Sequence, residues 1–128
     1  MHIPYQQQFG RLPDFEVTYQ LLAVEPSGAL PIVYQGVRWD FMYEDKAYRD
    51  GLYTIYPEVV VASTGEVFSN EQPLPAYGIA AMWILSAKLR PIHQERIRLG
   101  TRGYWMEANR RTAVCEVSRI IDLHANIG

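Results

Sequence analysis

Gly103-Tyr104-Trp105-Met106-Glu107 and Arg110-Arg111-Thr112-Ala113-Val114-Cys115-Glu116-Val117-Ser118-Arg119-Ile120-Ile121 flank Ala108-Asn109. Aromatic and β-branched residues fill both arms, and the two-residue link contains an Asn able to accept a left-handed backbone. The stretch predicts a β-hairpin. It sets the expectation for the rest of the chain, because a tight antiparallel pair at one end favours neighbours that also pair by short turns.

Upstream segments fit that expectation. Val17, Tyr19, Leu21 and Ala23 alternate with Glu16, Thr18 and Gln20, a period-two strand from Phe15 that ends at the turn Glu25-Pro26-Ser27-Gly28. Further strands are expected over Ile32–Tyr34, Val37–Tyr43 and Leu52–Ala62, punctuated by Gln35-Gly36 and by the polar stretch 44–51. Pro57 places the last of these at an edge, a bulge or a break, since it has no N–H for a ladder. The segment Ala76–Leu89 carries helical spacing at Ile79, Met82, Trp83 and Ser86, yet Trp83-Ile84-Leu85 fits a buried strand. Its all-β surroundings favour the strand. Residues 1–14, with Gln6, Gln7 and Gln8 before Gly10 and Pro13, show no sustained period and are expected to form an arm or loop that is ordered only by docking.

With 128 residues the chain suits one domain, 15–128 after the arm, and its nine Tyr, three Trp and four Phe supply material for a core. Charge is divided along it. Residues 1–87 hold four Lys and Arg against ten Asp and Glu, a net of −6, whereas residues 88–119 hold eight against three, a net of +5. That division argues for a cationic face that meets something acidic, or for two faces that balance each other. A single cysteine closes no intrachain disulfide, no stretch has the order of a secretion signal, and the apolar run Ile79–Leu85 is too short to span a bilayer. These features point to a cytoplasmic protein without a membrane span.

The segment Gly100-Thr101-Arg102-Gly103 through Val117 resembles the C-terminal, third barrel domain of elongation factor Tu. That family shows a Gly-x-Arg, a Glu-Gly-Gly-Arg turn and a strand of small residues and valines. Gly100, Arg102, Glu107, Arg110 and Val117 match, while Ala108 and Asn109 stand where the family has two glycines. Gly36-Val37-Arg38-Trp39-Asp40-Phe41 is similar to the family's Gly-Tyr-Arg-Pro-Gln-Phe element, with Trp39 in place of the proline. Phe15-Glu16, Glu25, Gly28 and Pro75–Leu85 extend the similarity to about residues 15–43 and 75–121. The resemblance implies a single closed antiparallel β-barrel of six strands, of the translation-factor type, serving as a docking surface. No Gly-rich loop ending in Gly-Lys-Ser or Gly-Lys-Thr occurs in the chain, so no GTPase function is expected of it.

Candidate contact residues follow from the basic section. Arg96 and Arg98, read on an extended strand, project to one face; Arg102, Tyr104, Trp105, Arg110 and Arg111 belong to the hairpin. Arginine beside exposed aromatics suits carboxylate or phosphate capture. The competing reading pairs Arg102, Arg110 and Arg119 with Glu107, Glu116 and Asp122 across strands. A second candidate is a tyrosine-rich acidic rim of Trp39, Tyr43, Tyr48 and Tyr53, with Tyr56 nearby in sequence. Separated histidines at 2, 93 and 124 give no metal-ligand spacing, Cys115 lies mid-strand as a buried thiol, and the carboxylates of Asp40, Glu44 and Asp45 suit a solvated loop. No catalytic group, metal or cofactor is expected. The favoured function is a non-catalytic module that binds a protein partner; nucleic acid is a weaker alternative at a pI near 5.9. An immunity-type protein that neutralises a toxin and a self-associating barrel are the other readings.

Overall fold

The computed structural model describes residues 2–24 and 26–126. Six antiparallel strands, β1 (Phe15–Leu21), β2 (Asp40–Tyr43), β3 (Ile55–Val60), β4 (Tyr77–Ile84), β5 (Arg102–Glu107) and β6 (Arg110–Ile120), form one sheet in the order β2-β5-β6-β1-β4-β3. Two short helices, α1 (Tyr5–Phe9) and α2 (Arg90–Arg96), lie outside it. The all-β expectation and the strand assignment of Ala76–Leu89 hold, with β4 in that segment. The cylinder is not closed. Edge strands β2 and β3 share no ladder, and the sheet curls into a half-barrel whose edges meet at a single bridge, Phe41 with Tyr53 just before β3.

Alternation creates the core. Phe15, Val17, Tyr19 and Leu21 of β1 face inward with Ala80, Met82 and Ile84 of β4, Phe41 and Tyr43 of β2, and Ala113, Cys115 and Val117 of β6. Trp105 fills the centre, stacked on Tyr19 at 4.7 Å between ring centroids. Gly103 is required there, because a Cβ at that position would stand 2.4 Å from the Phe41 ring.

Several local expectations are corrected. Ile32–Tyr34 runs outside the sheet, tethered where Leu74 N–H donates to the Val33 carbonyl at 2.8 Å, and the outer edge of β3 is taken by the Gln35 side chain and residues 66–68 in its place. The strands expected over Val37–Tyr43 and Leu52–Ala62 shorten to β2 and β3. In the hairpin the left-handed residue is Ala108, at φ 52°, and not Asn109. Glu25 of the first turn lies outside the described residues, as do 127 and 128, but the Gly28 N–H donates to the Val24 carbonyl at 2.8 Å. The N-terminal arm is docked: Tyr5 of α1 is buried edge-on against Trp83, and Tyr5 N–H donates to Glu58 at 2.8 Å.

Pro57 sits on edge strand β3, as its missing N–H requires. The rest of that edge is covered by the backbone of residues 66–68, which bridges Val60 at Val67, and by one side chain. The Gln35 amide donates to the Val59 carbonyl at 2.6 Å and accepts from Val59 N–H at 2.9 Å, so it substitutes for a neighbouring strand. Gln35→Ala leaves the Val59 N–H without an acceptor beside a void, while the Val59 carbonyl keeps the Phe68 N–H at 2.9 Å. Urea unfolding should show a loss of about 2 kcal/mol. An unchanged midpoint would mean that the amide does not hold the edge.

Candidate functional site

The section read as a strand through Arg96 and Arg98 is helix α2 followed by a loop. Pro91 in the opening turn suits a helix start, where its missing N–H costs nothing, and the Ser86 hydroxyl accepts from Leu89 N–H at 3.2 Å. Arg90 and His93 then fall one turn apart on the buried face, which turns Arg96 toward the polar stretch after β2. Arg96 ends α2 and Arg98 lies in the following loop, exposed.

Between that loop and residues 44–48 lies a cleft of about 490 Å³, lined among others by Tyr43, Tyr48, Arg96, Arg98 and Arg102. Members of both candidate sets thus meet at one place. Asp45 caps a short 3-10 turn, Lys46–Tyr48, by accepting from Ala47 N–H at 2.9 Å. This turn brings Tyr48 beneath the Arg96 guanidinium, 4.6 Å from ring centroid to Cζ. Arg96 also donates to both carboxylate oxygens of Asp50, at 3.2 and 3.0 Å, and the Tyr53 hydroxyl donates to the same carboxylate at 2.5 Å. Those hydrogen bonds, Arg96 first, hold the Asp50 carboxyl down to about 2.

Arg102 is committed as well, donating to Glu44 at 3.1 Å and lying 3.8 Å from Glu116. Arg110 pairs with Glu107 at 2.5 Å. Part of the cationic face is therefore balanced within the molecule, although exposed pairs of this kind contribute about 0–1 kcal/mol each and exchange readily. Arg98 and Arg111 have no ion-pair partner among the described residues. Arg111 lies over the half-buried Tyr104 ring at 4.1 Å, with Arg49 at 5.9 Å from the same ring. A bulge puts it there. The register slips between Trp105 and Met106, leaving Thr112 out of the ladder with its hydroxyl donating to the Trp105 carbonyl at 2.9 Å. Strict alternation from Val114 would turn Arg111 inward; the extra residue turns it outward beside Tyr104.

Burial removes three candidates from any contact surface. Trp105 is 0% exposed, Tyr43 0% and Trp39 2%, because the interior of the curled sheet needs large rings to fill it. Tyr48 remains exposed, Tyr53 is half-buried, and Tyr56 lies apart on β3 opposite Trp83. Behind the cleft the Tyr43 hydroxyl and His93 Nδ1 share a hydrogen bond of 2.6 Å. Burial, then the nearby Arg96 and Arg90 charges, lower His93 to about 4, so its ring is neutral near pH 7. Desolvation pushes the buried Cys115 thiol up to about 12, which keeps it protonated and unreactive. Among the described residues no three His, Cys, Asp or Glu side chains are placed to share a metal ion, and no helix is long and apolar enough to cross a membrane.

Sequence reasoning missed the buried polar groups. Asp14, Arg90 and Glu58 are each at most 3% exposed, and apart from the Arg11–Asp14 pair and the Arg90 bond to the Ile84 carbonyl their partners lie 53 to 112 positions away, beyond any local pattern. The positions of Arg98, Arg102, Tyr104 and Arg111 leave a strip of guanidinium and phenol groups along the outer face of β5, suited to binding carboxylates. Comparison of the sequence with protein-family models and with curated proteins gave no match.

Proposed function

We propose that this chain is a non-catalytic binding module, resembling the third domain of elongation factor Tu, that docks an acidic surface of a protein partner. The contact strip is Arg98, Arg102, Tyr104 and Arg111, with Tyr48 at the mouth of the adjoining cleft. One observation carries the reading. Arg98 and Arg111 are exposed at the two ends of this strip, and no carboxylate among the described residues answers them. An arginine left unpaired beside an aromatic ring is already placed for a carboxylate from outside, and the side-chain entropy lost on binding is reduced by the stacking. Barrel-type architecture is supported by the Phe41–Tyr53 bridge, which brings the two sheet edges together.

The double variant Arg98→Glu, Arg111→Glu reverses both free charges without touching a buried group. In affinity capture read by mass spectrometry, at least one protein recovered with the parent chain should fall about tenfold with the variant, matching the loss of one or two charge-assisted contacts. Lys88→Glu, an exposed charge away from the strip, should leave recovery unchanged. Equal recoveries from parent and double variant would remove this face from consideration.

A further inference from the structure

On the opposite part of the sheet four residues stand in register across four strands: Arg119 on β6, Glu16 on β1, Ala81 on β4 and Glu58 on β3. Two carboxylates therefore flank an alanine, their Cα atoms two strand spacings, or about 10 Å, apart. With only a methyl group between them, the row sinks at Ala81. The N-terminal segment does not fill this depression; a groove of about 630 Å³ remains between it and the sheet, walled by Leu12, Pro13, Val60, Trp83 and Ile121. That volume and apolar lining suit a small organic molecule.

The polar groups in the groove state what the molecule should be. Glu58 is 2% exposed and uses only Oε2 for its bonds to His2 Nε2, at 2.6 Å, and to Tyr5 N–H. Its Oε1 has no hydrogen-bond partner among the described residues. Glu16 makes no side-chain hydrogen bond or ion pair among them either. Trp83, 1% exposed, has an indole N–H with no partner, and its ring already carries the Arg11 guanidinium at 5.5 Å. Two carboxylates and an aromatic wall make a receptor for positive charge on an apolar body. Arg119 lies beyond Glu16, so the cation is restricted to the Ala81 side of the row.

We propose that this groove binds a small organic cation, a primary ammonium on an apolar aromatic stem. The ammonium lies over Ala81 between Glu16 and Glu58, and the stem runs along Trp83 and Val60. This site is separate from the cationic strip on β5, and neither depends on the other.

Phenethylamine is the probe, titrated into the full chain and followed by the Trp83 indole N–H and Ala81 amide resonances. Saturable shifts at both are expected, with affinity about tenfold above that of 2-phenylethanol, the neutral analogue, and no saturation with 3-phenylpropionate. Glu16→Gln, which breaks no contact of the fold, should weaken phenethylamine about tenfold. Ala81→Leu, which fills the floor, should abolish the shifts. The proposal is overturned if the alcohol binds as well as the amine, if Glu16→Gln has no effect, or if phenethylamine gives no saturable shift up to about 10 mM, a concentration at which even millimolar binding would be visible.

Discussion

Asp14→Ala should cost about 3 to 5 kcal/mol, a large share of the stability of a domain this size. The carboxylate lies at 0% exposure where four segments meet. Its Oδ2 accepts from Ile84 N–H at 2.8 Å and from Arg11 at 3.1 Å; its Oδ1 accepts from Asn126 at 3.0 Å and from Arg90. Arg90 is itself 3% exposed, and its second terminal nitrogen donates to the Ile84 carbonyl at 3.0 Å. Alanine leaves a buried guanidinium without its counter-charge and a backbone N–H without an acceptor. Removing one partner of a buried pair is more damaging than removing both, because the penalty comes from the charge left behind. Asp14→Ala/Arg90→Met should therefore recover part of the loss, a non-additivity read from the urea midpoints of the double-mutant cycle. A loss below about 1 kcal/mol for the single variant would show that water reaches Arg90 and that the network is not dry.

This junction also explains how much could be read from the residues alone. The hairpin and the period-two strand from Phe15 are local patterns and lie where alternation and turn chemistry put them, while Pro57 restricted its strand to an edge, a bulge or a break, of which the fold uses the edge. Helix α2 was hidden because Arg90–Arg96 has too few apolar positions to show a helical period, and Pro91 reads as a breaker unless the start of the helix is already known. The hairpin bulge was equally silent: nothing in Thr112 itself announces that it will leave the ladder, yet it decides which way Arg111 faces. Trp105 and Tyr43 mislead for a different reason. Aromatic residues beside arginines look the same in a sequence whether they line a core or a contact face, and only closure of the sheet over them separates the two. The cationic strip was legible as charge; its geometry was not.

The second large effect is a pH dependence that belongs to His93. Burial lowers its folded-state value to about 4, against about 6.5 for an unfolded chain. Above pH 6.5 the ring is neutral in both states and its contribution to stability is complete. As pH falls from 6.5 toward 4 the unfolded chain takes up a proton that the folded chain refuses, so unfolding is favoured by about 1.4 kcal/mol per pH unit, about 3 kcal/mol across the window. Below pH 4 both states are protonated and this loss stops growing. Asp50, held down to about 2, titrates below that window and does not obscure it. His93→Gln should flatten the stability profile between pH 6.5 and 4, and the parent imidazole should still be neutral by NMR at pH 5. A profile equally steep in the variant would assign the dependence to other groups. The consequence reaches the proposed contact face, since His93 is one turn before Arg96 on α2 and braces Tyr43 at the back of the cleft. The folded ring takes up its proton only near pH 4, so strain on the element that positions Arg96 and the loop bearing Arg98 begins there, and partner capture by the parent chain should hold through the window in which stability falls and weaken only near pH 4. Capture that persists unchanged at that pH would place the partner's contacts on β5 and β6 alone.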